Sequence, residues 1–234
     1  MPRPLARQLD QLNREVVTCT RCPRLVEHCR KTARDKVRRF AGEEYWGRPI
    51  PSFGDPKARL LIVGLAPAAH GGNRTGRMFT GDRSGDALFL ALHRAGFANQ
   101  PSSVSRDDGL QLTDCRITAT LRCAPPLNKP TPGEIANCSE YLDREIALLL
   151  PQLRIVVALG KIGFDSFLAS LQRLNLPVPR PRPKFGHLHE YDLGPGRPTL
   201  LASYHPSQQN MFTGKLTQPK LDAVFARAQE LLSG

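Results

Sequence analysis

The sequence predicts an α/β domain whose mainly parallel sheet is covered by helices on both faces. Two observations support this fold class. Four short apolar runs, at 59–65, 116–121, 154–159 and 199–203, are continuous rather than alternating, which is typical of strands buried on both faces. Helical patterns separate the runs, and strands that alternate with helices favour a parallel sheet. The sheet is therefore predicted to contain four central strands.

The remaining elements follow in chain order. Apolar residues at helical spacing predict an N-terminal helix within 4–18. The segment 30–58 has no clear periodicity and is rich in turn residues, so it is predicted to be an extended surface excursion. A short additional strand is predicted at 187–191. No linker or internal repeat is visible, which predicts one domain over 1–234. Helices are predicted near 84–95, 132–149, 161–172 and 217–232.

The composition points to an acidic partner. The 234 residues include 33 Lys+Arg and 21 Asp+Glu, which gives a formal net charge of +12. Nucleic acid is the commonest partner of so basic a chain, although a solubilising surface would also explain the charge. No apolar run approaches the roughly 20 residues that span a bilayer, and the N-terminus has no secretory pattern. We therefore expect a cytoplasmic protein without a membrane partner, associated with the nucleoid through DNA.

The six cysteines are better metal ligands than disulfide partners in such a chain. Cys19 and Cys22 form a C-x2-C pair that can turn both sulfurs towards one centre. Cys123 and Cys138 flank a turn-rich loop that could close the set to four. Cys115 lies in an apolar run and is interpreted as a core residue, while Cys29 is a weaker candidate ligand. Spacing alone leaves a zinc site and an iron–sulfur cluster open.

Polar or glycine-rich segments follow the carboxyl end of every predicted central strand. In open α/β sheets these ends form the ligand-binding edge, although turns also favour Gly and Pro for purely local reasons. The connection at 64–86 is unusually long and polar, and its Arg74, Arg77 and Arg83 can seek phosphates. It contains neither a G-x-G-x-x-G fingerprint nor a G-x-S-x-G elbow. The segment 205–210, HPSQQN, places a histidine directly after an apolar strand.

Taken together, these motifs resemble those of the uracil-DNA glycosylase superfamily, and most closely its family 5 (type b) enzymes. The resemblance rests on the following segments: YWGRPIPSFGD at 45–55, GLAPA at 64–68, NRTGR at 73–77, FTGD at 79–82, RCAPPLNKP at 122–130 and HPSQQN at 205–210. It implies a three-layer α/β/α sandwich, hydrolysis of the N-glycosidic bond of a damaged base, and a [4Fe–4S] cluster. The cluster would tie the N-terminal helix to the loop after the second predicted strand, and its implied ligands are Cys19, Cys22, Cys123 and Cys138.

The resemblance also implies roles for individual residues. Asp82 would stabilise the sugar cation and orient water, although an Asp before a helix is also a common N-cap. His205 would donate a hydrogen bond to the departing base, and Asn128 would help to hold the water. Phe79 would stack on the flipped base, although it could equally be a core aromatic. The pocket wall would be formed by Gly64, Ala66, Pro67 and Ala68, and DNA contacts by Arg74, Arg77, Ser207, Gln208, Gln209 and Asn210.

One departure from the family pattern bears on specificity. Relatives specific for uracil read its edge with an asparagine just beyond the second strand, and the segment Ala119–Cys123 contains no amide. A pocket without that reader loses hydrogen-bond discrimination. We therefore expect removal of uracil and of other deaminated bases, such as hypoxanthine, from double-stranded DNA by a monomer. Lys161 is the only lysine at a strand end, and a helix start explains it, so no amine nucleophile is expected.

Two other functional classes would account for part of the sequence. A metal-stabilised nucleic-acid-binding module without catalysis would explain the positive charge and the cysteines, but it leaves Asp82 and His205 without a role. A nucleotide-dependent enzyme on a doubly wound sheet would need a Walker or dinucleotide loop, and neither is present. The residues therefore favour a monofunctional glycosylase that leaves an abasic site.

Overall fold

A computed structural model describes residues 4–234 and contains a six-stranded sheet. The strand order is β1-β3-β2-β4-β6-β5. The four central strands are parallel, as predicted, and the two outer strands pair antiparallel to their neighbours. The strands are β1 Phe53–Gly54, β2 Leu60–Gly64, β3 Cys115–Ala119, β4 Ile155–Leu159, β5 Glu190–Asp192 and β6 Thr199–Ser203.

The predicted count of four strands was too low by the two edge strands. β1 has two residues and β5 has three, which is too short to produce an apolar run. The additional strand expected at 187–191 is present, but it starts three residues later, as β5 at Glu190–Asp192, so β1 is the edge strand that was not expected. Cys115 opens β3 and is fully buried, in agreement with its interpretation as a core residue.

Helices occupy both faces of the sheet. None of those within 4–234 is long and apolar enough to cross a membrane. Two single 3-10 turns, Arg38–Phe40 and Pro126–Asn128, complete the regular structure. The helices are α1 Leu5–Val17, α2 Pro23–Asp35, α3 Gly72–Thr75, α4 Arg83–Arg94, α5 Pro132–Leu149, α6 Lys161–Arg173, α7 Gln208–Phe212 and α8 Gln218–Ser233.

The segment 30–58 is more ordered than predicted. Its first residues complete α2. Only two side chains of this helix, Leu25 and Cys29, are fully buried, so the sequence shows no helical repeat of apolar residues there. Further along, Tyr45 and Ile50 are buried, and the backbone N–H of Ile50 donates to the carbonyl of Arg122 at 2.7 Å. The segment therefore packs onto the core as a covering strap instead of extending from it.

Alternation along β2 shows how the core is divided. Leu60 and Ile62 face a cluster formed with α4 and α8, whereas Leu61 and Val63 face a cluster formed with α5 and α6. Because successive strand residues point to opposite faces, both faces of an apolar strand need a helical layer. This arrangement confirms the predicted α/β class. α1 packs outside α5 and contributes to a third cluster that contains five of the cysteines.

Candidate active site

The carboxyl ends of the parallel strands bring three predicted site segments to one edge of the sheet. Gly64 ends β2, Gly160 follows β4, and His205 lies two residues beyond the end of β6. The N–H of Gly160 donates to the carbonyl of Ser203 at 2.8 Å, and a Cβ added at Gly160 would lie 3.3 Å from the Cβ of His205. The histidine is therefore held directly over the end of β4.

Phe79 is the centre of this arrangement. Its ring lies so close to the end of β2 that a Cβ at Gly64 would be 3.0 Å from two ring carbons, a contact that only glycine avoids. The backbone of Phe79 has a φ of 52°, a left-handed conformation that non-glycine residues rarely adopt outside functional or strained sites. On the other side the ring stacks with the imidazole of His205, with centroids 5.7 Å apart and planes at 30°.

Asp82 is fixed at the start of α4. Its Oδ1 accepts a hydrogen bond from the N–H of Gly85 at 3.0 Å, which makes Asp82 the N-cap residue. Its Oδ2 points towards Gly71, where an added Cβ would lie only 2.0 Å away. Burial raises the pKa of Asp82 above its usual range, while the N–H groups of Gly85 and Ser84 oppose that rise. The capping interpretation is therefore correct, and it leaves one carboxylate oxygen free of the cap.

His205 is held through its backbone and kept uncharged by its surroundings. Its carbonyl accepts a hydrogen bond from Nδ2 of Asn210 at 2.8 Å, and Oγ of Ser207 accepts one from the N–H of Asn210 at 3.3 Å. Burial lowers the pKa of His205 to about 4, so the imidazole is neutral near pH 7. Of the four residues predicted to contact DNA here, Ser207 and Asn210 shape the turn, whereas Gln208 and Gln209 are exposed.

The structure corrects the prediction that Arg74 and Arg77 contact DNA. Arg74 is 8% exposed and donates to Glu43 and to the carbonyl of Gly81. Arg77 is 3% exposed and binds both carboxylate oxygens of Asp108 at 2.8 Å. A guanidinium that is buried and already paired has no free donors for a phosphate, so both residues brace the 64–86 connection from inside. Arg83 remains exposed among the predicted cations of this connection.

The predicted pocket wall and the loop with Asn128 lie beside each other. The carbonyl of Gly64 accepts hydrogen bonds from the N–H and Oγ1 of Thr120, at 2.9 and 3.2 Å, so the chain beyond β3 runs next to the 64–68 segment. Pro67 is buried, and Ala66 and Ala68 are half-buried. Asn128 is exposed at the tip of the loop that follows, and its side chain has no hydrogen-bond partner within 4–234. Asn128 therefore stands apart from the packed centre of the site.

The four predicted cysteine ligands line one cavity next to this loop. Cys19 and Cys22 come from the turn between α1 and α2, Cys123 from the segment after β3, and Cys138 from α5. Burial raises the pKa of Cys22 and raises that of Cys138 to about 11. Nδ2 of Asn137 donates to Sγ of Cys22 at 3.7 Å. In the described part of the chain, no three His, Cys, Asp or Glu side chains are grouped as ligands of a single metal ion.

The comparisons with known proteins decide the family. The model of the uracil DNA glycosylase superfamily matches residues 51–229. The chain belongs to this superfamily. A type-5 uracil-DNA glycosylase of Mycobacterium tuberculosis is 51% identical over 226 residues, which cover 97% of this chain and 82% of the relative. Type-5 enzymes of Thermus thermophilus and Pyrobaculum aerophilum are each 47% identical, over 92% and 94% of this chain and 94% and 91% of the relatives.

Membership of the uracil-DNA glycosylase superfamily confirms the predicted enzyme class, a hydrolase of N-glycosidic bonds. The match includes Phe79 and His205, which stack on each other at the edge of the sheet, and Asp82 at the start of α4. Cys19 and Cys22 lie before its first residue. The family model therefore covers the candidate active site and only half of the predicted ligand set.

Sequence reasoning missed two features of this uracil-DNA glycosylase homologue. A groove of about 360 Å³ runs from the start of α4 to α7 and α8, and Arg83, Pro206, Gln208 and Phe212 contribute to its lining. Phe212 is 71% exposed, with the guanidinium of Arg83 5.4 Å from its ring centroid. A large exposed aromatic cannot be told from a core aromatic by periodicity in a helix of only five residues.

The second missed feature is a buried ion network under the cysteine cavity. Glu145 is fully buried and accepts hydrogen bonds from Arg116 and Arg122, both at 2.7 Å, as well as from Ser52 and Thr118. Burial alone would raise the pKa of Glu145, but the two guanidinium charges outweigh it and lower that pKa to about 2. The partners lie 23 to 93 residues from Glu145 in sequence, so no local pattern could reveal them.

Proposed function

We propose that this chain is a monofunctional glycosylase that flips a deaminated base out of double-stranded DNA and hydrolyses its N-glycosidic bond. The observation that carries the proposal is the stacking of Phe79 on His205 at the carboxyl edge of the sheet, with Asp82 fixed at the start of α4 three residues after Phe79. The names of the 47–51% identical relatives support uracil as a substrate. A base inside the stack is beyond the reach of these side chains, and a glycosylase therefore has to evert its nucleotide.

Asp82 supplies the negative charge that the reaction needs at the sugar. Cleavage leaves positive charge on the sugar, and a carboxylate placed beforehand stabilises that charge better than water that must reorganise. The hydrogen bond from Gly85 fixes one oxygen, and the other is free to face the sugar or to orient the attacking water. The same cap that stabilises α4 thus sets the direction of the catalytic carboxylate.

His205 supplies a hydrogen bond where negative charge develops on the departing base. With a pKa of about 4, the imidazole is neutral at pH 7 and offers one N–H donor. A neutral donor stabilises an anionic leaving base by hydrogen bonding without first giving up a proton. The stacking contact with Phe79 restricts the orientation of this imidazole.

The pocket favours substrates beyond uracil. In the segment 119–123, where an amide would read the base edge, the hydroxyl of Thr120 donates to Gly64 and the guanidinium of Arg122 donates to Glu145. No side-chain amide is available there, and the 64–68 wall offers backbone groups. We therefore extend the proposal to hypoxanthine, because a site without a specific donor–acceptor pair discriminates weakly between bases.

Direct attack of water is the proposed route of cleavage. Lys161 is exposed and forms an ion pair with Asp165 one turn along α6, so it does not point a free amine at the sugar. We expect an abasic product and no covalent intermediate. Borohydride added during turnover should therefore trap no protein–DNA adduct.

A [4Fe–4S] cluster is the proposed occupant of the cysteine cavity. Each cysteine in such a cluster binds a different iron, so the four sulfurs surround a volume and need not meet at one point. The proposal is supported by the cavity lining, to which Cys19, Cys22, Cys123 and Cys138 all contribute. Bound there, the cluster would supply a structural cross-link between the α1–α2 turn, α5 and the loop after β3.

Base release measured on defined duplexes tests the proposal. The substrates are duplexes with one uracil, one hypoxanthine or no lesion, and the enzymes are the parent and Asp82→Asn. Asparagine caps a helix about as well as aspartate, so the variant should fold and bind duplex normally. We expect the parent to release both bases and the variant to lose at least 10²-fold in rate. Release of uracil alone would refute the extended substrate range, and an active Asp82→Asn would refute the mechanism.

A further inference from the structure

Two exposed arginines lie against one indole ring, that of Trp46 in the strap. Cζ of Arg48 lies 4.1 Å from the ring centroid of Trp46, and Cζ of Arg106 lies 5.0 Å from the same centroid. The indole is half-buried and its Nε1 donates to the carbonyl of Pro49 at 3.1 Å, so the ring has a fixed orientation. A guanidinium stacked on a fixed ring loses side-chain freedom, while the N–H groups at its edge stay available.

The two guanidiniums have few protein partners. Within 4–234, the side chain of Arg48 forms no hydrogen bond and no ion pair. The guanidinium of Arg106 has one acid nearby, the exposed carboxylate of Asp107 at 3.7 Å. Two like charges beside one ring repel each other, and an exposed ion pair at this distance compensates little. The two arginines therefore offer positive charge and free donors to an anion.

Trp46 is fastened to the connection that carries Phe79. Its backbone N–H donates to the carbonyl of Arg74 at 2.9 Å. A Cβ added at Gly76 would lie 2.9 Å from Cδ2 of the indole, so the ring packs directly on the end of α3. Phe79 follows Gly76 by three residues. The Trp46 ring therefore lies beside the chain segment that leads into Phe79.

The loop that carries Arg106 is fastened to the same connection. Nη1 of the buried Arg77 donates to the carbonyl of Arg106 at 3.1 Å, and its Nη2 binds both carboxylate oxygens of Asp108. The N–H of Gly81 donates to the carbonyl of Ser103 at 2.8 Å. Arg77, which was expected to contact DNA, thus holds the loop that presents an exposed arginine.

One further exposed arginine of the strap acts on the start of α4. Arg39 lies in the 3-10 turn at 38–40 and has no ion pair within the described residues. Burial raises the pKa of Asp86 in the first turn of α4, and the charges of Arg83 and Arg39 oppose that rise. The strap therefore brings unpaired positive charge to the helix that Asp82 caps.

We propose that Arg48 and Arg106 form a phosphate clamp, which binds the DNA backbone beside the candidate active site. The inference rests on the proposed function, because it requires DNA as the substrate. Phosphate contacts fix the position of a protein on DNA without reading its sequence. The clamp would hold the strand in place while the nucleotide is everted towards Phe79 and His205.

Arg48→Gln and Arg106→Gln each remove one charge of the phosphate clamp and keep a polar side chain. Arg154→Gln is the matched control, because Arg154 is also exposed and has no ion pair in the described chain, but it precedes β4 at the amino edge of the sheet. Arg48→Lys keeps the charge but loses the flat guanidinium that stacks on the indole. The probe is a duplex with an uncleavable 2′-fluoro-deoxyuridine, so that binding is measured without base release.

The decisive measurement is the dependence of Kd on salt between about 50 and 200 mM. Each phosphate contact that is lost lowers the slope of log Kd against log salt concentration by about 0.9, because fewer counterions are released. We expect this decrease for Arg48→Gln and for Arg106→Gln, with binding weakened by at least about 3-fold. Arg48→Lys and Arg154→Gln should keep the slope of the parent. An unchanged slope in either clamp Gln variant, or an equal decrease in Arg48→Lys or Arg154→Gln, would overturn the clamp.

Base release gives a second readout, which separates the phosphate clamp from a structural role. A contact that binds substrate and transition state alike acts through KM, so the loss in kcat/KM of Arg48→Gln should lie in KM. A loss confined to kcat would mean that Arg48 only supports the Trp46 ring and the segment that leads into Phe79, and it would overturn the clamp. Failure of the parent to release uracil from a duplex that it binds would instead refute the proposed function, so the two failures are distinguishable.

Discussion

The imidazole of His205 stacks on the ring of Phe79, with centroids 5.7 Å apart and planes inclined by 30°. This contact excludes water from one face of the imidazole, and burial lowers the pKa of His205 to about 4. The packing around His205 therefore fixes the position of the proposed donor and keeps it neutral near pH 7.

The first prediction concerns His205→Gln and its dependence on pH. Loss of one donor to a developing anion costs about 10²–10³-fold in rate, and the variant should lose a similar factor in base release. The folded-state pKa lies below the ordinary value of 6.5. The unfolded chain therefore binds the proton first as the pH falls, and the stability contribution of His205 declines between pH 6.5 and about 4.

Urea unfolding at pH 7 and pH 5 measures this effect. The parent should lose more stability between the two pH values than His205→Gln does. His189→Gln, at an exposed position, should behave like the parent. Equal pH dependence in parent and His205→Gln would show that His205 is not kept neutral by the fold.

The second prediction concerns Gly64→Ala. The added Cβ would lie 3.0 Å from two ring carbons of Phe79, so the ring must move away from the end of β2. We expect a stability loss of about 1–3 kcal/mol from overpacking. A displaced Phe79 ring should lower kcat/KM by roughly 10²-fold, because a shift of about 1 Å in a group that positions the substrate can have an effect of that size.

Gly133→Ala is the matched control for Gly64→Ala. Gly133 lies in the first turn of α5 and has no neighbouring atom within 4 Å of an added Cβ. Alanine there should stabilise the helix by about 0.5–1 kcal/mol and leave base release unchanged. If Gly64→Ala retained full activity, the position of the Phe79 ring would not matter for catalysis.

The third prediction concerns Glu145→Gln. The change leaves the buried guanidiniums of Arg116 and Arg122 without their counter-charge, which typically costs about 3–5 kcal/mol. In the parent, the depressed pKa of about 2 means that the contribution of Glu145 is complete above its ordinary value of 4.5 and is lost as the pH falls towards 2. Denaturant melts of the variant at pH 7 and of the parent from pH 5 to 2 measure both effects.

Glu140→Gln tests whether the stability loss expected for Glu145→Gln depends on burial of the charge. Glu140 forms its ion pairs with Arg21 and Arg144 at the surface, where solvent screens them. This variant should unfold close to the parent. If Glu140→Gln lost as much stability as Glu145→Gln, the effect would come from the loss of any one negative charge and not from the buried network.

The fourth prediction concerns Cys123→Ser. The parent should be brown if it holds the proposed cluster. Removal of one of the four proposed ligands should abolish that colour and lower both iron and sulfide per chain, because serine oxygen is a poor ligand for iron–sulfur clusters. The melting temperature should fall, since the cross-link between the helices and the loop is lost. Cys115→Ala, in the core of β3, should retain iron and sulfide. Equal metal content in both variants, or zinc in place of iron, would refute the proposed cluster.

The sequence predicted the elements whose formation depends on residues close together in the chain. The four central strands are continuous apolar runs, and α1 repeats its apolar residues at helical spacing, so both are visible in a short window. The approach of His205 to the end of β2, where Phe79 packs, follows from the parallel topology, since parallel strands end at one edge. The N-cap role of Asp82 was also visible, because it depends on the residues that follow.

The errors arose where a residue's role depends on distant partners. Arg74 and Arg77 look free in sequence, yet each pairs with an acid 31 residues away, at Glu43 and Asp108. α2 was missed because only two of its side chains are fully buried.

Cys123 and Cys138 lie on either side of the 124–131 loop, and both line the cysteine cavity. The other two cysteines of the cavity come from the α1–α2 turn, almost sixty residues before the first catalytic candidate. A fragment beginning near residue 51, where the family match starts, would retain Phe79, Asp82 and His205 but lose Cys19 and Cys22, two of the four proposed cluster ligands. Such a fragment could not complete the proposed cross-link, so the position of the loop after β3 would depend on a helix pair that the family match leaves out.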